Sequence, residues 1–428
     1  MKLNTIFING YRNIVDTKIE LNDLTSILSL NNYGKSNLLT AIVFGVSFIQ
    51  QHPKIKQNMM NDVTKVPFLK NNNSNIFTFK IECETEINNM HYYITYSYSF
   101  KWFSSNINDT SEIIKEDLKI RDSSSQTASA FIKRDENGSY YKRSETARCS
   151  TEILIDKNDL ILNKLTAYDN LFYIELIKKL LNINVYVDRH FDSQSSYGIT
   201  FMSEQELTDL TLKPALNIPK TLYNIKEKHP DKYNLLKNVF TSLFPNILDF
   251  QLNEVGQLFN SLKDKNNEKE IFSDKVYVLY VKDTSLKYSI NFNAMSDGAK
   301  RILLLITFII VAQINNYNLI CIEEPENSIH PSLLKKLLNS LYQLSEETQL
   351  IFTSHSPYLI NYLQIDDIYL GIPNNKGYAQ FKKLKTNPNA KKRLLKNVEN
   401  SDMQLGDYLF DLFSGNYDDI KELITYVE

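Results

Sequence analysis

The chain has 428 residues, enough for a large core and two or three subregions. Its apolar content of 43% and charged content of 23% are ordinary for a folded protein. The formal net charge of −2 provides no overall attraction for nucleic acid or an acidic membrane. Cys83, Cys149 and Cys321 form no C-x-x-C pair, and the most apolar run, 301–314, is too short to cross a bilayer. We therefore expect a cytoplasmic protein with reduced thiols and no membrane partner.

The N-terminal part begins with short strands and then a helix. Residues 1–30 contain alternating and apolar runs that predict two or three strands, and 35–49 has helical spacing of apolar residues. Residues 76–103 are rich in β-branched and aromatic residues with a polar break, which predicts a strand pair. Residues 129–143 predict a hairpin around Asn137 and Gly138.

The character of the sequence changes near residue 158. Helical periodicity dominates until about 270, strand chemistry returns at 275–292, and helices and strands then alternate to about 372. This alternation is typical of an α/β fold with a parallel sheet. A basic and then amphipathic tail follows. The expected organisation is an N-terminal lobe with an antiparallel β subdomain, a helical insertion and a C-terminal lobe, at 1–157, 158–270 and 271–428.

One short stretch fits a phosphate-binding loop. The pattern G-x-x-x-x-G-K-[ST] matches Gly34, Lys35 and Ser36, although Ser29 stands where the first glycine is usual. Lys35 would reach the β- and γ-phosphates of a nucleotide and Ser36 would hold Mg²⁺, while backbone N–H groups at the helix start would surround the anion. The alternative is a chance triplet.

Two asparagines, Asn31 and Asn32, favour the phosphate-binding interpretation. Asparagine tolerates the left-handed backbone conformation better than other non-glycine residues, so Asn32 can serve in a tight loop.

A second stretch, 318–331, contains a buried apolar strand that runs directly into two carboxylates. This is the layout of a Walker B element. Glu323 would lie near Mg²⁺ through its water shell, and Glu324 would polarise the attacking water. Glu323 stands where aspartate is usual. The alternative is a strand that ends in a solvated acidic turn.

Two further patches are weaker when taken alone. Ser296 and Gly298 precede a long apolar helix and would offer a second anion site, although an ordinary N-cap explains them equally simply. An apolar strand delivers His355 to its C-terminal end, where ligands bind in open α/β sheets, although a lone histidine there is more often structural.

Taken in order, these patches resemble the ATP-binding-cassette (ABC) class of ATPase heads, and within it the soluble branch of chromosome-maintenance, recombination-repair and OLD-type phage-defence proteins. "GYRNI", "SLNNYGKSN", "MSDGAKR", "CIEEPENSIHP" and "TSHSP" resemble that branch's arginine turn, Walker A, signature, Walker B and switch-histidine motifs. The resemblance implies an ABC-type head with a mixed or parallel central sheet. It also implies that Arg12 approaches the phosphates and that Asn37 belongs to the nucleotide-binding set.

The resemblance further implies how such a head works. Ser296 and Gly298 would contact the γ-phosphate of ATP held by another copy, and His355 would sense that phosphate. ATP binding would then close a homodimer or higher oligomer, and hydrolysis would release it. Ser29, Glu323 and the lack of a glutamine in 63–73, where a Q-loop is expected, indicate slow turnover.

Two functions are open at this point. The first is a regulatory ATPase of an anti-phage or abortive-infection system that controls an effector protein encoded alongside. The second is a repair-type ATPase that binds DNA directly, for which the basic run Lys391, Lys392, Arg393 and Lys396 could serve. A solvated helix face is the alternative for that run. A steep loss of DNA affinity with salt would favour the second function.

Overall fold

A computed structural model describes residues 1–67, 75–103, 111–168, 170–188, 196–197, 210, 212, 217–256, 275–372, 378–385, 387–415 and 417–427. These residues form two compact units, one of 1–187 with 349–428 and the other of 188–348. The domain boundaries expected near 157 and 270 stay a prediction. Residues 68–73 of the glutamine-free stretch lie outside the described residues. None of the helices in the described ranges is long and apolar enough to span a membrane.

The strands follow one another in chain order as β1 (Lys2–Asn9), β2 (Thr17–Glu20), β3 (Leu24–Leu28), β4 (Ile76–Ile87), β5 (Met90–Lys101), β6 (Glu112–Asp122), β7 (Ser129–Asp135), β8 (Gly138–Lys142), β9 (Cys149–Glu152), β10 (Val185–Asp188), β11 (Ile247–Gly256), β12 (Lys275–Asp283), β13 (Ile290–Asn291), β14 (Leu319–Glu323), β15 (Gln349–Ser354), β16 (Ile368–Ile372) and β17 (Gln380–Lys383).

The helices are α1 (Lys35–Gln50), α2 (Pro53–Met60), α3 (Ile161–Leu165), α4 (Ile174–Leu181), α5 (Ile218–Lys228), α6 (Pro230–Leu243), α7 (Asp297–Ile314), α8 (Pro331–Ser345), α9 (Pro357–Ile360), α10 (Pro388–Asn400), α11 (Leu405–Ser414) and α12 (Tyr417–Thr425). The described part of 158–270 therefore contains four helices together with β10 and β11. The expected mixed α/β class is confirmed.

An antiparallel sheet in the first unit has the strand order β2-β1-β4-β5-β6-β7-β8-β9. The predicted strand pair is confirmed as β4 and β5, which turn through Asn88 and Asn89, both with positive φ. The predicted hairpin is also present as β7 and β8. Its turn lies one residue earlier than expected, because Gly138 pairs with Asp135 and leaves Glu136 and Asn137 as the turn residues.

Aromatic side chains hold this sheet against α1. Phe48 of α1 stacks on Tyr98, with ring centroids 4.9 Å apart, and the Tyr98 hydroxyl donates a hydrogen bond to the Gly45 carbonyl at 2.8 Å. The buried rings around this contact belong to Tyr11, Phe44, Phe77, Phe79, Phe100 and Trp102. Since each aromatic ring buries a large apolar area, the cluster fixes the position of the helix that follows the phosphate-binding loop.

A buried polar cluster lies where α2 and α3 meet the same sheet. The fully buried Glu116 carboxylate accepts hydrogen bonds from the backbone N–H groups of Ile161 (2.6 Å) and Leu162 (2.9 Å) and from the Tyr96 hydroxyl (3.0 Å). Burial raises the pKa of Glu116 to about 7, although these donors and the charge of Arg134 oppose the change. The carboxylate thus caps α3 from inside the core.

Lys56 is the buried cation of this cluster. Its ammonium donates to the Gln51 carbonyl at 2.6 Å and to Asn163 Oδ1 at 2.8 Å, and it lies 3.3 Å from Asp159 Oδ1. The Asn163 side chain in turn donates to the Ile49 carbonyl at 2.9 Å. Because Ile49 and Gln51 mark the end of α1, the cluster anchors that helix at the end opposite its loop.

The first unit also contains a group of mainly parallel strands, β15, β3, β16 and β17. β3 pairs in parallel with β15 on one side and with β16 on the other, and β17 pairs antiparallel with β16. All five residues of β3 are buried. Helices α9 to α12 cover this part of the unit through a cluster of buried apolar residues that includes Leu28, Leu370, Leu409 and Tyr426.

In its described residues, the second unit contains a three-stranded antiparallel sheet, β11-β12-β13, and the four helices α5 to α8. Helix α7 is buried along most of its length and packs against α6 and α8. The Lys232 ammonium of α6 donates to Gln313 Oε1 at 2.9 Å and to Glu346 Oε1 at 3.0 Å. These contacts join three helices at one end of α7.

We expect Glu116 to make the stability of the protein depend on pH. Its pKa rises from 4.5 to about 7 on folding, so the folded state keeps a proton that the unfolded state releases in that range. The free energy of unfolding should therefore fall by up to about 3 kcal/mol as pH rises from 4.5 to about 7, at about 1.4 kcal/mol per pH unit. Glu116→Gln should remove this contribution in urea titrations at several pH values.

The matched control is Glu112→Gln on the same strand. The Lys157 ammonium lowers the pKa of Glu112, so this carboxylate stays ionised above pH 5 and its replacement should leave the slope unchanged. A parent protein and a Glu116→Gln variant with parallel pH profiles would contradict the assignment.

Candidate functional site

The loop between β3 and α1 has the backbone geometry of a tight anion-binding turn. Asn32 has φ of 60°, which confirms the left-handed conformation expected from the sequence. Gly34 has φ of 123°, and a Cβ there would lie 2.9 Å from the Ala379 side chain and 3.0 Å from that of Asn13. Conformation and space therefore both require glycine at this position.

Lys35 turns back into this loop. Its buried ammonium donates to the Ser29 carbonyl at 2.8 Å and to the Leu30 carbonyl at 3.2 Å. Ser36 and Asn31 are exposed at the same loop and helix start. A cation inside a loop at a helix N-terminus is a candidate site for a phosphate group, because the helix dipole also favours negative charge.

Arg12 brings a second cation to the first turn of α1. Its Nη1 donates to Asn37 Oδ1 at 2.8 Å and its Nε donates to the Thr64 carbonyl at 3.1 Å. The Asn37 amide donates to Asn13 Oδ1 at 2.8 Å, and the Asn13 amide donates to the Tyr33 carbonyl at 3.1 Å. Arg12, Asn37 and the loop are thus linked, with Asn13 as a connector that we did not single out from the sequence.

His355 is brought to the same edge of the sheet by strand register. β3 and β15 run in parallel, and Ser354 pairs with Leu28. The next residues of the two strands are His355 and Ser29, the first residue of the loop. His355 is exposed there, at the carboxyl edge of parallel strands, where ligands bind in open α/β sheets. Its contact with a ligand stays a prediction.

In the second unit, the signature residues lie at the start of α7. The Ser296 hydroxyl accepts a hydrogen bond from the Ala299 N–H at 3.3 Å and so caps the helix. A Cβ on Gly298 would lie 2.6 Å from the Ser328 carbonyl, in the turn that follows β14. Glycine is needed here because the first turn of α7 contacts this turn directly.

The two carboxylates lie at the end of β14, as the sequence predicts. Glu323 ends the strand, and Glu324 has φ of 49°, which is unusual for a residue with a side chain. The Asn327 amide donates to Glu324 Oε2 at 2.6 Å. A left-handed residue maintained by its surroundings is typical of functional turns.

Arg301 connects α7 to this turn, and sequence reasoning missed it. Its Nη1 pairs with Asp188 Oδ2 at 3.2 Å and its Nη2 donates to the Glu323 carbonyl at 3.1 Å. The two charged side chains are only 3% and 2% exposed. Burial lowers the pKa of Arg301, and Asp188 opposes that change. The only sequence signal was a charged residue inside the signature stretch "MSDGAKR".

The described side chains suit Mg²⁺ bound together with a nucleotide better than a metal ion bound by protein ligands alone. Across the described ranges, no group of three or more His, Cys, Asp or Glu side chains could hold a metal ion. Mg²⁺ usually takes one or two protein oxygens and completes its shell with phosphates and water. The side chains of Ser36 and Glu323 each carry an oxygen of that kind, and their role as Mg²⁺ ligands stays a prediction. Any side chain at position 34 would fill the space around Gly34.

Comparison with known proteins shows the family of the chain and agrees with the mixed α/β fold. A family model described as an AAA ATPase domain matches residues 1–360, so the chain belongs to that family. No curated protein sequence matches the chain. Among solved structures, the chain is similar to an SmcHead bound to the C-winged helix domain of ScpA. The identity is 13%, the alignment covers 92% of this chain and 100% of that one, and the TM-score is 0.50.

Two other solved structures align with lower scores. The SMC head domain from Thermotoga maritima is 11% identical over 90% of this chain and 100% of its own, with a TM-score of 0.43. The recombination mediator protein RecF-ATPrS is 12% identical, and the alignment covers 89% of this chain and 97% of that one, with a TM-score of 0.39.

The buried Arg301–Asp188 pair should be essential for the stability of the second unit. Arg301→Met leaves the Asp188 carboxylate buried without this charged partner, and such a change costs about 3–5 kcal/mol. We expect that loss in the free energy of unfolding measured in urea. The double variant Arg301→Met/Asp188→Leu removes both charges and should recover most of the loss. Equal destabilisation of the single and double variants would contradict this account.

Proposed function

We propose that the chain binds and hydrolyses ATP with Mg²⁺. The observation that carries this proposal is the Lys35 ammonium inside the loop at the start of α1, 2.8 Å from the Ser29 carbonyl. In the proposed complex, Lys35 exchanges these carbonyl contacts for β- and γ-phosphate oxygens. Arg12, Asn31, Asn32, Gly34 and Asn37 complete the nucleotide-binding set.

The remaining candidates have proposed roles in hydrolysis. Ser36 and Glu323 would hold Mg²⁺, which neutralises charge on the phosphates when it is bound. Glu324 would accept a proton from the attacking water, and His355 would contact the γ-phosphate. The contact between Asn327 and Glu324 supports this role, because it orients the carboxylate.

We propose that turnover is slow. Ser29 and Glu323 both depart from the residues that fast ATPases of this type use at those positions. Glu323 is one methylene longer than the usual aspartate, so direct coordination of Mg²⁺ requires a different side-chain conformation. A slow ATPase is suited to act as a switch in which bound ATP sets a long-lived state.

The proposed switch is self-association. Ser296 and Gly298 would contact the nucleotide of another copy, giving an ATP-dependent homodimer or a higher oligomer. The exposed Ser296 supports this role, since its hydroxyl caps α7 and still has a proton to donate. We further propose that the switch regulates an effector protein in an anti-phage defence system, on the basis of the motif resemblance.

Direct DNA binding is the other candidate, and the basic run on α10 gives it little support. Lys391 lies 3.7 Å from Asp366 Oδ1, and the Arg393 guanidinium lies over the Tyr426 ring at 6.0 Å. Two of the four cations therefore have partners within the protein. The run is better explained as the solvated face of α10.

Lys35→Ala should weaken ATP binding. Loss of a charge-assisted hydrogen bond costs about 1.5–3 kcal/mol, so the Kd should rise by at least about tenfold. Titration of a fluorescent ATP analogue measures the effect. Lys119→Ala, an exposed lysine of β6, is the matched control and should bind as the parent does. Unchanged affinity in Lys35→Ala would contradict the proposed phosphate site.

Glu324→Gln should retain ATP binding, lose hydrolysis and accumulate as the ATP-bound oligomer. The amide cannot accept the proton of the attacking water but keeps the shape of the side chain. Phosphate release and light scattering in the presence of MgATP measure the two effects. Glu347→Gln, in an exposed position after α8, is the control. Hydrolysis at the parental rate in Glu324→Gln would refute this role.

A further inference from the structure

The phosphate-binding loop of this chain has a serine at the position of its usual first glycine, and the neighbouring strand contains the compensating glycine. β3 and β16 run in parallel, and Leu28 pairs with Leu370. The next residues are Ser29 and Gly371. Ser29 is fully buried, so its side chain needs space inside the sheet edge.

Gly371 provides this space. A Cβ added there would lie 2.6 Å from the Ser29 Cβ, 2.7 Å from Tyr33 Cδ1 and 3.0 Å from Phe381 Cε1. Side-chain contacts below 3.0 Å are essentially forbidden, so any larger residue would displace the loop or the hairpin. Gly371 does not have a positive φ, and it is therefore required for space alone.

Tyr33 occupies the space above Gly371. Its hydroxyl donates to the Tyr378 carbonyl at 3.2 Å, and its ring meets Phe381 edge-on with centroids 6.0 Å apart. Its backbone carbonyl accepts a hydrogen bond from the Asn13 side-chain amide. Tyr33 is thus attached on three sides, although it lies in the middle of a loop.

The β16–β17 hairpin contacts the loop a second time through Ala379. The Ala379 N–H donates to the Asn13 carbonyl at 2.8 Å, and the Ala379 methyl faces Gly34. The hairpin is itself held by the C-terminal helices, because the Lys385 N–H donates to the Tyr426 carbonyl at 2.8 Å. One face of the loop therefore packs against Ala379 and the β16–β17 pair.

We propose that Tyr33 is a positioning residue that, seated over Gly371 against the β16–β17 hairpin, preorders the loop and thereby sets the affinity for ATP. This inference rests on the proposed ATP-binding function. The physical reason is entropic: a loop fixed before binding does not lose conformational freedom when its N–H groups surround a triphosphate. Without the Tyr33 ring, binding has to order the loop.

The test compares Tyr33→Ala with Tyr33→Phe. Tyr33→Ala removes the ring and should raise the Kd for ATP and the KM for hydrolysis by about tenfold, while kcat at saturating ATP stays within about twofold. Tyr33→Phe keeps the ring on Phe381 and loses only the hydroxyl contact, so it should stay within about threefold of the parent. Calorimetric titration with ATP and steady-state phosphate release measure these values.

A second pair of variants tests the space around Gly371. Gly371→Ala should weaken ATP binding as Tyr33→Ala does. Adding Ser29→Gly removes the nearest clash and should recover part of the affinity. This rescue distinguishes loop positioning from general damage, since a second substitution seldom repairs an unfolded protein. If Tyr33→Ala fails to fold, these two variants still test whether the position of the loop sets the affinity for ATP.

Three outcomes would overturn the inference. Parental ATP affinity in Tyr33→Ala would show that the ring does not order the loop. A Ser29→Gly/Gly371→Ala variant no better than Gly371→Ala would show that the two residues do not share this space. A parent protein that binds no ATP would refute the proposed function and this inference with it, whereas a parent that binds ATP and keeps its affinity in Tyr33→Ala would refute only the inference.

Discussion

The contact of the Lys35 ammonium with the Ser29 and Leu30 carbonyls is the interaction around which the loop between β3 and α1 is arranged. A buried cation must be hydrogen-bonded, because an unsolvated charge in the interior costs several kcal/mol. The carbonyls that accept its hydrogen bonds belong to a loop in which Asn32 and Gly34 have positive φ. β3 fixes the start of that loop in the middle of a parallel sheet, and α1 fixes its end.

The C-terminal end of α1 is held by side chains of α2 and α3, and this limits how far the loop at its N-terminal end can move. The Lys56 ammonium and the Asn163 amide donate to the carbonyls of Gln51 and Ile49, where α1 ends. Aromatic rings cover the middle of the helix, and the β16–β17 hairpin supports the loop at its start. The helix is therefore held at both ends and along one face. A movement of the loop on nucleotide binding would have to be taken up by Tyr33 and the hairpin rather than by the helix.

The second unit also contains a buried cation that donates a hydrogen bond to a backbone carbonyl. Arg301 is a buried cation that donates to a backbone carbonyl, here that of Glu323, and it is neutralised by Asp188. Its guanidinium thus fixes the end of β14 just before the left-handed turn at Glu324. In both units a buried cation donates to the backbone carbonyl just before a candidate site residue. Lys35 donates to the Leu30 carbonyl before Asn31, and Arg301 donates to the Glu323 carbonyl before Glu324.

The sequence by itself determined the local structure: the strand before the loop, the helix after it, the left-handed Asn32 and the carboxylates after β14. These features follow from residue type and spacing over a few positions, which is the range at which backbone conformation and hydrogen bonding act. The tertiary structure alone decided the Asp188 partner of Arg301, which is 113 residues away, and the glycine at 371 that accommodates Ser29. Such contacts depend on strand order and register, and a one-residue difference, as in the turn at Glu136 and Asn137, changes which side chains meet.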